Sequence, residues 1–434
     1  MRNKIASRAP LLALAALCAL SFGVRAAWIG LPCHGSCQTA NAHILIFDER
    51  YYVNAARVIA GIRPAAIPGA AYRHAPLGGD PNAEHPQLAK LIMAGSIELL
   101  GDGPWAWRLG SLIFGTLAIL GMFALVRWSG GGPWLAVGAA ALMASDNLML
   151  VQGRIATLEI YVVAAMVWSV ALYVRGRPIS AGVVAGIGAC MKLFALDVVV
   201  VLAVLELARW RTGVAAGARA VALRLAGALG TMAGSFIGLL AVLDQIAPPY
   251  DNAARRFVSD GPFGHLWHMI SYGSHQTGLT AAHGIASRPW QWLGDFKPIP
   301  YLTIDPAHPG GLKGDHPAVH FLGFISPPIL LAGLVGTAVA LWATARGRGQ
   351  PAYDGALLRL AAAWFLGTFG PFLIAGDALN RTTYLYYMAI VMPGMYVAAA
   401  WLARRLWNRR WLVYPWLVLV ATGAIVLYPV TPLP

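Results

Sequence analysis

Long apolar stretches, each near the roughly 20 residues that cross about 30 Å of hydrocarbon, recur along this chain with short polar breaks between them. The pattern predicts eleven membrane-spanning helices, at 9–31, 106–127, 133–150, 156–174, 179–192, 194–208, 222–244, 322–344, 358–376, 384–402 and 411–430. The fifth and sixth are short, and only Lys192 separates them. Two longer polar segments remain, roughly 32–105 and 245–321, both rich in Pro, Gly, His and Trp. That composition predicts ordered loops and interfacial helices in place of flexible linkers, with Trp267, Trp290 and Trp292 at headgroup level. Gly182, Gly186 and Gly188 place small residues at close intervals inside one stretch, the pattern of tight helix packing and not of a phosphate cradle.

Composition agrees with this reading. Of 434 residues 58% are hydrophobic and 12% charged, with a mean hydropathy of +0.61, whereas soluble domains carry about 25% charged residues. The expected fold class is an all-α polytopic membrane protein forming a single transmembrane domain over 1–434. The net charge of +14 is a topological signal. With Arg2, Lys4 and Arg8 placed in the cytoplasm, alternate connections carry Arg127, then Arg175 and Arg177, then Arg209 to Arg224, Arg346 to Arg359, and Arg404 to Arg410. The positive-inside rule then holds throughout, which leaves no case for nucleic acid as a partner. Of 18 acids only Glu206 and Asp354 fall in or beside those inner connections, so the two long segments are expected on the outer face.

Candidate chemistry concentrates there. Asp48 and Glu49 form an acidic pair one short loop beyond the first apolar stretch, and carboxylates that close to a bilayer need a reason. Cys33 and Cys37, just upstream, are a candidate disulfide, with free thiols or a metal site with His34 as the alternatives. Three clustered ligands are too few for a closed structural zinc site, so no metal residues are assigned and a divalent-metal requirement stays open. Cys18 and Cys190 lie in apolar stretches as small packing residues. His265, His268, His275 and His283 are unevenly spaced, which favours packing or interfacial roles. The chain lacks a Walker loop, a Gly-x-Ser-x-Gly elbow and a His-Glu-x-x-His motif. The first stretch also has signal-peptide features around Val24-Arg25-Ala26-Ala27, read here as an uncleaved anchor.

Several blocks in order resemble the protein O-mannosyltransferase family, a branch of the GT-C membrane glycosyltransferases that use polyprenyl-phosphate sugars. They are Phe47-Asp48-Glu49-Arg50-Tyr51-Tyr52, Glu84-His85-Pro86-Gln87-Leu88-Ala89-Lys90, and Trp107-Arg108-Leu109 with Gly115-Thr116-Leu117. Further on come Asp146-Asn147-Leu148 with Gly153-Arg154-Ile155-Ala156-Thr157-Leu158-Glu159, then Ser287-Arg288-Pro289-Trp290-Gln291-Trp292 with Pro298-Ile299-Pro300-Tyr301. The last is Arg381-Thr382-Thr383-Tyr384-Leu385-Tyr386-Tyr387 with Pro393. Gln87 stands where the family has a second Pro, Gly153 where it has Ser and Glu159 where it has Asp, departures that point to a divergent bacterial member.

The resemblance implies an inverting glycosyltransferase of the bacterial inner membrane whose site faces the periplasm. The expected sugar is mannose on a polyprenyl phosphate, and the expected acceptor a Ser or Thr hydroxyl of an exported protein. A lipid or glycan acceptor, as in transfer of aminoarabinose to lipid A, is the alternative, and a transporter without catalysis is a third reading. Transporters place ionisable residues near mid-membrane, whereas here they sit at the ends of the stretches. A sugar phosphate is already a good leaving group, so one base suffices, in contrast to the two carboxylates of glycoside hydrolysis. By resemblance Asp48 is that base and Glu49 its helper. Arg108 is the first choice for the donor phosphate, then Arg381, then Lys90, Arg154 and Arg288, with Lys192 last and His85 available for phosphate or a hydroxyl. Glu159 is expected to pair with Arg154. Beyond the lipid-linked donor, the acceptor and membrane lipids, no cofactor or partner is implied.

Overall fold

A computed structural model describes residues 2–30, 45–64, 70–214, 217–279, 284–304, 319–347 and 352–428. The chain opens with α1 (Arg2–Ala26), followed by α2 (Glu49–Ile59), α3 (Leu88–Leu100), α4 (Pro104–Trp128), α5 (Pro133–Ser145), α6 (Asn147–Gln152), α7 (Glu159–Val174) and α8 (Pro178–Ala189). Next are α9 (Val198–Arg211), α10 (Ala218–Ile246), β1 (Tyr250–Asp251), β2 (Arg256–Phe257), α11 (Gly261–His275) and α12 (Pro289–Trp292). After β3 (Ile299–Ile304) and β4 (Val319–Gly323) come α13 (Pro327–Arg346), α14 (Ala352–Leu373), α15 (Met388–Arg405) and α16 (Arg410–Val426). Proline at the first helical position begins α4, α5, α8 and α13, where its missing N–H would have had no partner in any case.

Among the described residues, six helices are long and apolar enough to cross a membrane: Arg8–Ala26, Pro104–Trp128, Ala218–Ile246, Pro327–Arg346, Asp354–Ala378 and Leu385–Arg405. Pro133–Ser145, Glu159–Val174, Pro178–Ala189 and Arg410–Val426 are shorter apolar helices. The chain is an integral membrane protein. Around Lys192 the chain breaks more widely than the pattern predicts. α8 stops at Ala189, a 3-10 turn spans Leu193–Asp197, and only then does α9 begin.

Glycine lets the short helices approach closely. A Cβ on Gly182 would lie 2.1 Å from the Ala228 carbonyl oxygen, and one on Gly186 would lie 2.0 Å from Ser235 Oγ, so both glycines seat α8 directly against α10. Gly188 performs the same service toward Ala165 of α7, 2.6 Å from such a Cβ. The expected packing role of this run is what the structure contains, and Cys18 and Cys190 are buried free thiols in the same manner.

The long segment between α10 and α13 holds two small antiparallel sheets, β1 with β2 and β3 with β4, and the amphipathic helix α11. Trp267 and Trp290 are exposed as interfacial side chains should be, but Trp292 is fully buried. Its ring packs against Phe369, Phe372 and Tyr387, and its indole N–H donates to Ser287 Oγ at 2.9 Å. It is a core residue and not a headgroup anchor.

Candidate functional site

The site begins at Phe47. Its φ of 54° is left-handed, unusual for a bulky side chain, and its ring is held by Tyr301 and Tyr386, with centroids 4.6 and 5.7 Å away. The strained residue turns the chain into α2, whose first amides, of Tyr51 and Tyr52, donate to the Asp48 carbonyl at 2.9 and 3.2 Å. The adjacent acids then part company.

Glu49 is wholly buried, and four donors saturate its carboxylate. Arg108 grips it twice, Nε to Oε1 at 2.8 Å and Nη2 to Oε2 at 2.7 Å. The amides of Ile46 and Ala156 add bonds of 2.8 and 2.7 Å. A buried ion pair is tolerable when its remaining lone pairs are satisfied in this way. Glu49 therefore ties the turn at Phe47 to α4 and to the segment ahead of α7.

Asp48 has no hydrogen bond or ion pair at its carboxylate among the described residues. It is partly exposed, but its carboxyl lies in a recess crowded by protein. Its pKa is lifted from the usual carboxylate value to about 7, chiefly by burial and then by Glu159, against the opposing pull of Lys192 and Arg50. A free carboxyl poised near neutrality is what a general base requires.

The surrounding wall comes from distant parts of the chain. Lys192, in the break after α8, pairs with Glu159 at the start of α7. Its Nζ also lies 5.2 Å from the Phe194 ring and 5.7 Å from those of both Tyr386 and Tyr387. Arg381 faces the other part of this wall, 5.9 Å from the Phe194 ring. It arrives there because α14 ends in a π-turn, Ile374–Ala378, and Asn380 reverses the chain with a φ of 53°. The Arg381 backbone is bonded to Ala375, and Thr382 to Gln276, yet its guanidinium has no hydrogen bond or ion pair among the described residues. His85 is partly exposed, with its ring 5.8 Å from that of Tyr52. Burial, then Lys192, Lys90 and Arg381, hold it well below the usual imidazole pKa, so it is neutral at pH 7.

Four cations expected at a phosphate are committed elsewhere. Arg108 is fully buried, spent on Glu49 and on the carbonyl of Ile29 at 2.5 Å. Lys90, equally buried, pairs with Asp80 at 2.5 Å and donates to the carbonyls of Asn82 and His85 at 2.6 and 2.8 Å, knitting the loop ahead of α3. Arg154 bonds the carbonyls of Arg25, Ala27 and Trp28 at the end of α1, not Glu159 as the sequence suggested. Arg288 is bound to the Gly376 carbonyl and, at 2.8 Å, to Asn380 Oδ1, bracing the turn that delivers Arg381. Short, strong carbonyl and carboxylate contacts of this kind are lost if such an arginine turns to a ligand.

Gln87 has its own purpose where the resemblance expects Pro: Nε2 donates to Asp244 Oδ1 at 2.6 Å. The same oxygen meets His265 Nδ1 at 2.7 Å, and His265 Nε2 meets the Ala83 carbonyl at 3.0 Å. His265 is thus a packing residue that joins the two long segments, and His275 bonds within α11 to Ser271. Cys33, Cys37 and His283 lie outside the described residues. Sequence ranks Lys192 last among the cations and names Tyr386 and Tyr387 only within the carboxy-terminal block, whereas the structure brings the three together. The available signal was a lone lysine between two apolar runs, a placement that demands a buried partner.

Residues 94–215 match the family model described as dolichyl-phosphate-mannose-protein mannosyltransferase. The chain is similar to the polyprenol-phosphate-mannose–protein mannosyltransferase of Corynebacterium glutamicum, with 33% identity over 120 residues, covering 27% of this chain and 22% of that relative. In fold it is similar to the S. cerevisiae protein O-mannosyltransferase Pmt1-Pmt2 complex bound to the sugar donor, at a TM-score of 0.67 and 11% identity over 96% of this chain and 89% of that one. It is also similar to ArnT from Cupriavidus metallidurans bound to undecaprenyl phosphate, at a TM-score of 0.52 and 17% identity over 95% of this chain and 62% of that one. The chain therefore takes the GT-C membrane fold that these solved proteins share, and its 94–215 segment carries the match to the mannosyltransferase model.

Proposed function

We propose that this protein is an inverting glycosyltransferase that moves a sugar, with mannose as the first expectation, from a polyprenyl phosphate to a Ser or Thr hydroxyl of an exported protein. The observation that carries this reading is the divergence of two adjacent acids: Glu49 saturated and buried, Asp48 unpartnered with a pKa near 7. Asp48 takes the acceptor's proton while the acceptor oxygen forms its bond to the anomeric carbon. The bond from that carbon to the phosphate oxygen breaks on the opposite side, and the lipid phosphate leaves as an anion. A positioned base contributes roughly 100-fold to 10,000-fold to such a step.

The unpaired guanidinium of Arg381 is the group best suited to the departing phosphate, with Lys192 behind it. This moves the donor-binding role from Arg108, the leading candidate on sequence, to Arg381. Neutral His85 and the tyrosines are hydrogen-bonding groups for sugar hydroxyls. The positive-inside pattern supports an outward-facing site, with a bacterial inner membrane as the expected location.

The purified protein with radiolabelled polyprenyl-phosphate-mannose and a membrane extract provides the test. Label in protein is the expected result. Label in lipid would overturn the protein acceptor while leaving the chemistry, and no transfer with any polyprenyl-phosphate sugar would overturn the reading altogether.

A further inference from the structure

At the other end of the bundle, a cavity of about 490 Å³ opens where α4, α7, α9, α10 and α14 converge. α7 separates it from the Asp48 site: Glu159 lies at one end and Val174 lines the cavity at the other, 16 residues or roughly 24 Å at helical rise. Arg209, Arg224 and Arg359 face the cavity against one carboxylate, Glu206.

Glu206 is already engaged. It accepts from Tyr173 at 2.8 Å and from Arg209 at 2.8 Å, with Arg224 3.6 Å away. Arg359 is nine-tenths buried and has no hydrogen bond or ion pair among the described residues. Two further polar atoms at the cavity, Arg224 Nε and Ser129 Oγ, are buried without a partner. Three guanidinium groups beside one carboxylate leave an excess of positive charge around the cavity. Donors converging on a space of this size call for an acceptor-rich anion, and a planar guanidinium fork matches phosphate oxygens. Apolar Leu205 and Leu360 line the cavity beside the arginines, and Trp128 adds an aromatic face.

We infer that this cavity is a binding site for a phosphoryl group, supplied either by the headgroup of an anionic phospholipid or by a soluble phosphate compound, and separate from the carboxylate site. Basic pockets between membrane helices commonly hold lipid headgroups. The bound phosphate sits between Arg359 and Arg224, accepts from Ser129 Oγ, and joins the ends of α10 and α14.

The test uses the full chain in neutral detergent, titrated with phosphatidylglycerol, phosphatidylcholine or pyrophosphate and followed by native mass spectrometry and thermal unfolding. Native protein is expected to retain phosphatidylglycerol over phosphatidylcholine and to be stabilised by it. Arg359→Gln is expected to weaken this at least tenfold, while exposed Arg405→Gln leaves it unchanged. Pyrophosphate binding with the same dependence on Arg359 assigns a soluble source and also supports the site. Should Arg359→Gln fail to fold, Arg224→Gln and Ser129→Ala provide the same comparison. Equal affinity of native protein and these variants for every probe, or no binding by native protein, would overturn the inference.

Discussion

At the residue scale, what separates the two neighbouring acids is their hydrogen bonding. Sequence brings Asp48 and Glu49 to notice together, but only three-dimensional neighbours show that Arg108, Ile46 and Ala156 saturate one and leave the other free. Two of those partners, Arg108 and Ala156, come from positions 59 and 107 residues away, so no local pattern could sort the pair. The raised Asp48 pKa has two consequences. Because the folded value of about 7 lies above the ordinary 3.8, folded protein binds the proton more tightly. Stability on this account therefore falls as pH rises from about 4 to about 7. A base works when deprotonated, so kcat/KM should climb with pH through about 7 and level off above it; a profile flat from pH 5 to 8 would remove Asp48 from that role. The arginines divide in the same manner. Arg108→Ala strands a buried carboxylate and should cost about 3 to 5 kcal/mol of stability, seen as a large drop in Tm. Arg381→Ala should leave Tm close to native and raise KM for the lipid-linked donor, a split that steady-state kinetics beside thermal melts will detect.

At the element scale, the apolar pattern located the helices well because burial in lipid leaves few other ways to satisfy a backbone. Helix ends and breaks were less legible. Within the wide break between α8 and α9 Lys192 pairs with Glu159, a tertiary contact that hydropathy does not record. Trp292 was misplaced for a similar reason: nothing in its local sequence reveals that Phe369, Phe372 and Tyr387 enclose it. The glycine run of α8 was legible because close packing needs small residues at fixed intervals. Gly186→Val should destroy that seam, since even a Cβ would lie 2.7 Å from the Met232 carbonyl oxygen. Loss of folded protein in detergent, measured by size-exclusion recovery, is expected; recovery equal to native would mean the helices do not pack this closely. The bridge from Gln87 through Asp244 to His265 likewise joins the residue capping α3 to α10 and α11, and it gives a structural role to a departure that sequence could note without interpreting.

At the scale of the whole molecule, the chain has two charged ends built on different logic. At one end most ionisable groups are paired or held neutral around the Asp48 carboxyl and the Arg381 guanidinium, neither of which has a hydrogen bond or ion pair among the described residues. At the other, arginines outnumber acids around an open cavity. The charge pattern predicted this polarity in outline, because basic residues collect on one face, but not that either end would form a recess. The shared GT-C fold accounts for the general arrangement, and the residues particular to this chain would carry the proposed chemistry. The most direct test of the central claim is the transfer rate of purified Asp48→Asn, measured with saturating lipid-linked sugar alongside its thermal melt. A rate reduced at least 100-fold with Tm equal to or above native is predicted, since the amide keeps the shape and removes a disfavoured charge. Transfer at the native rate by folded Asp48→Asn protein would contradict it.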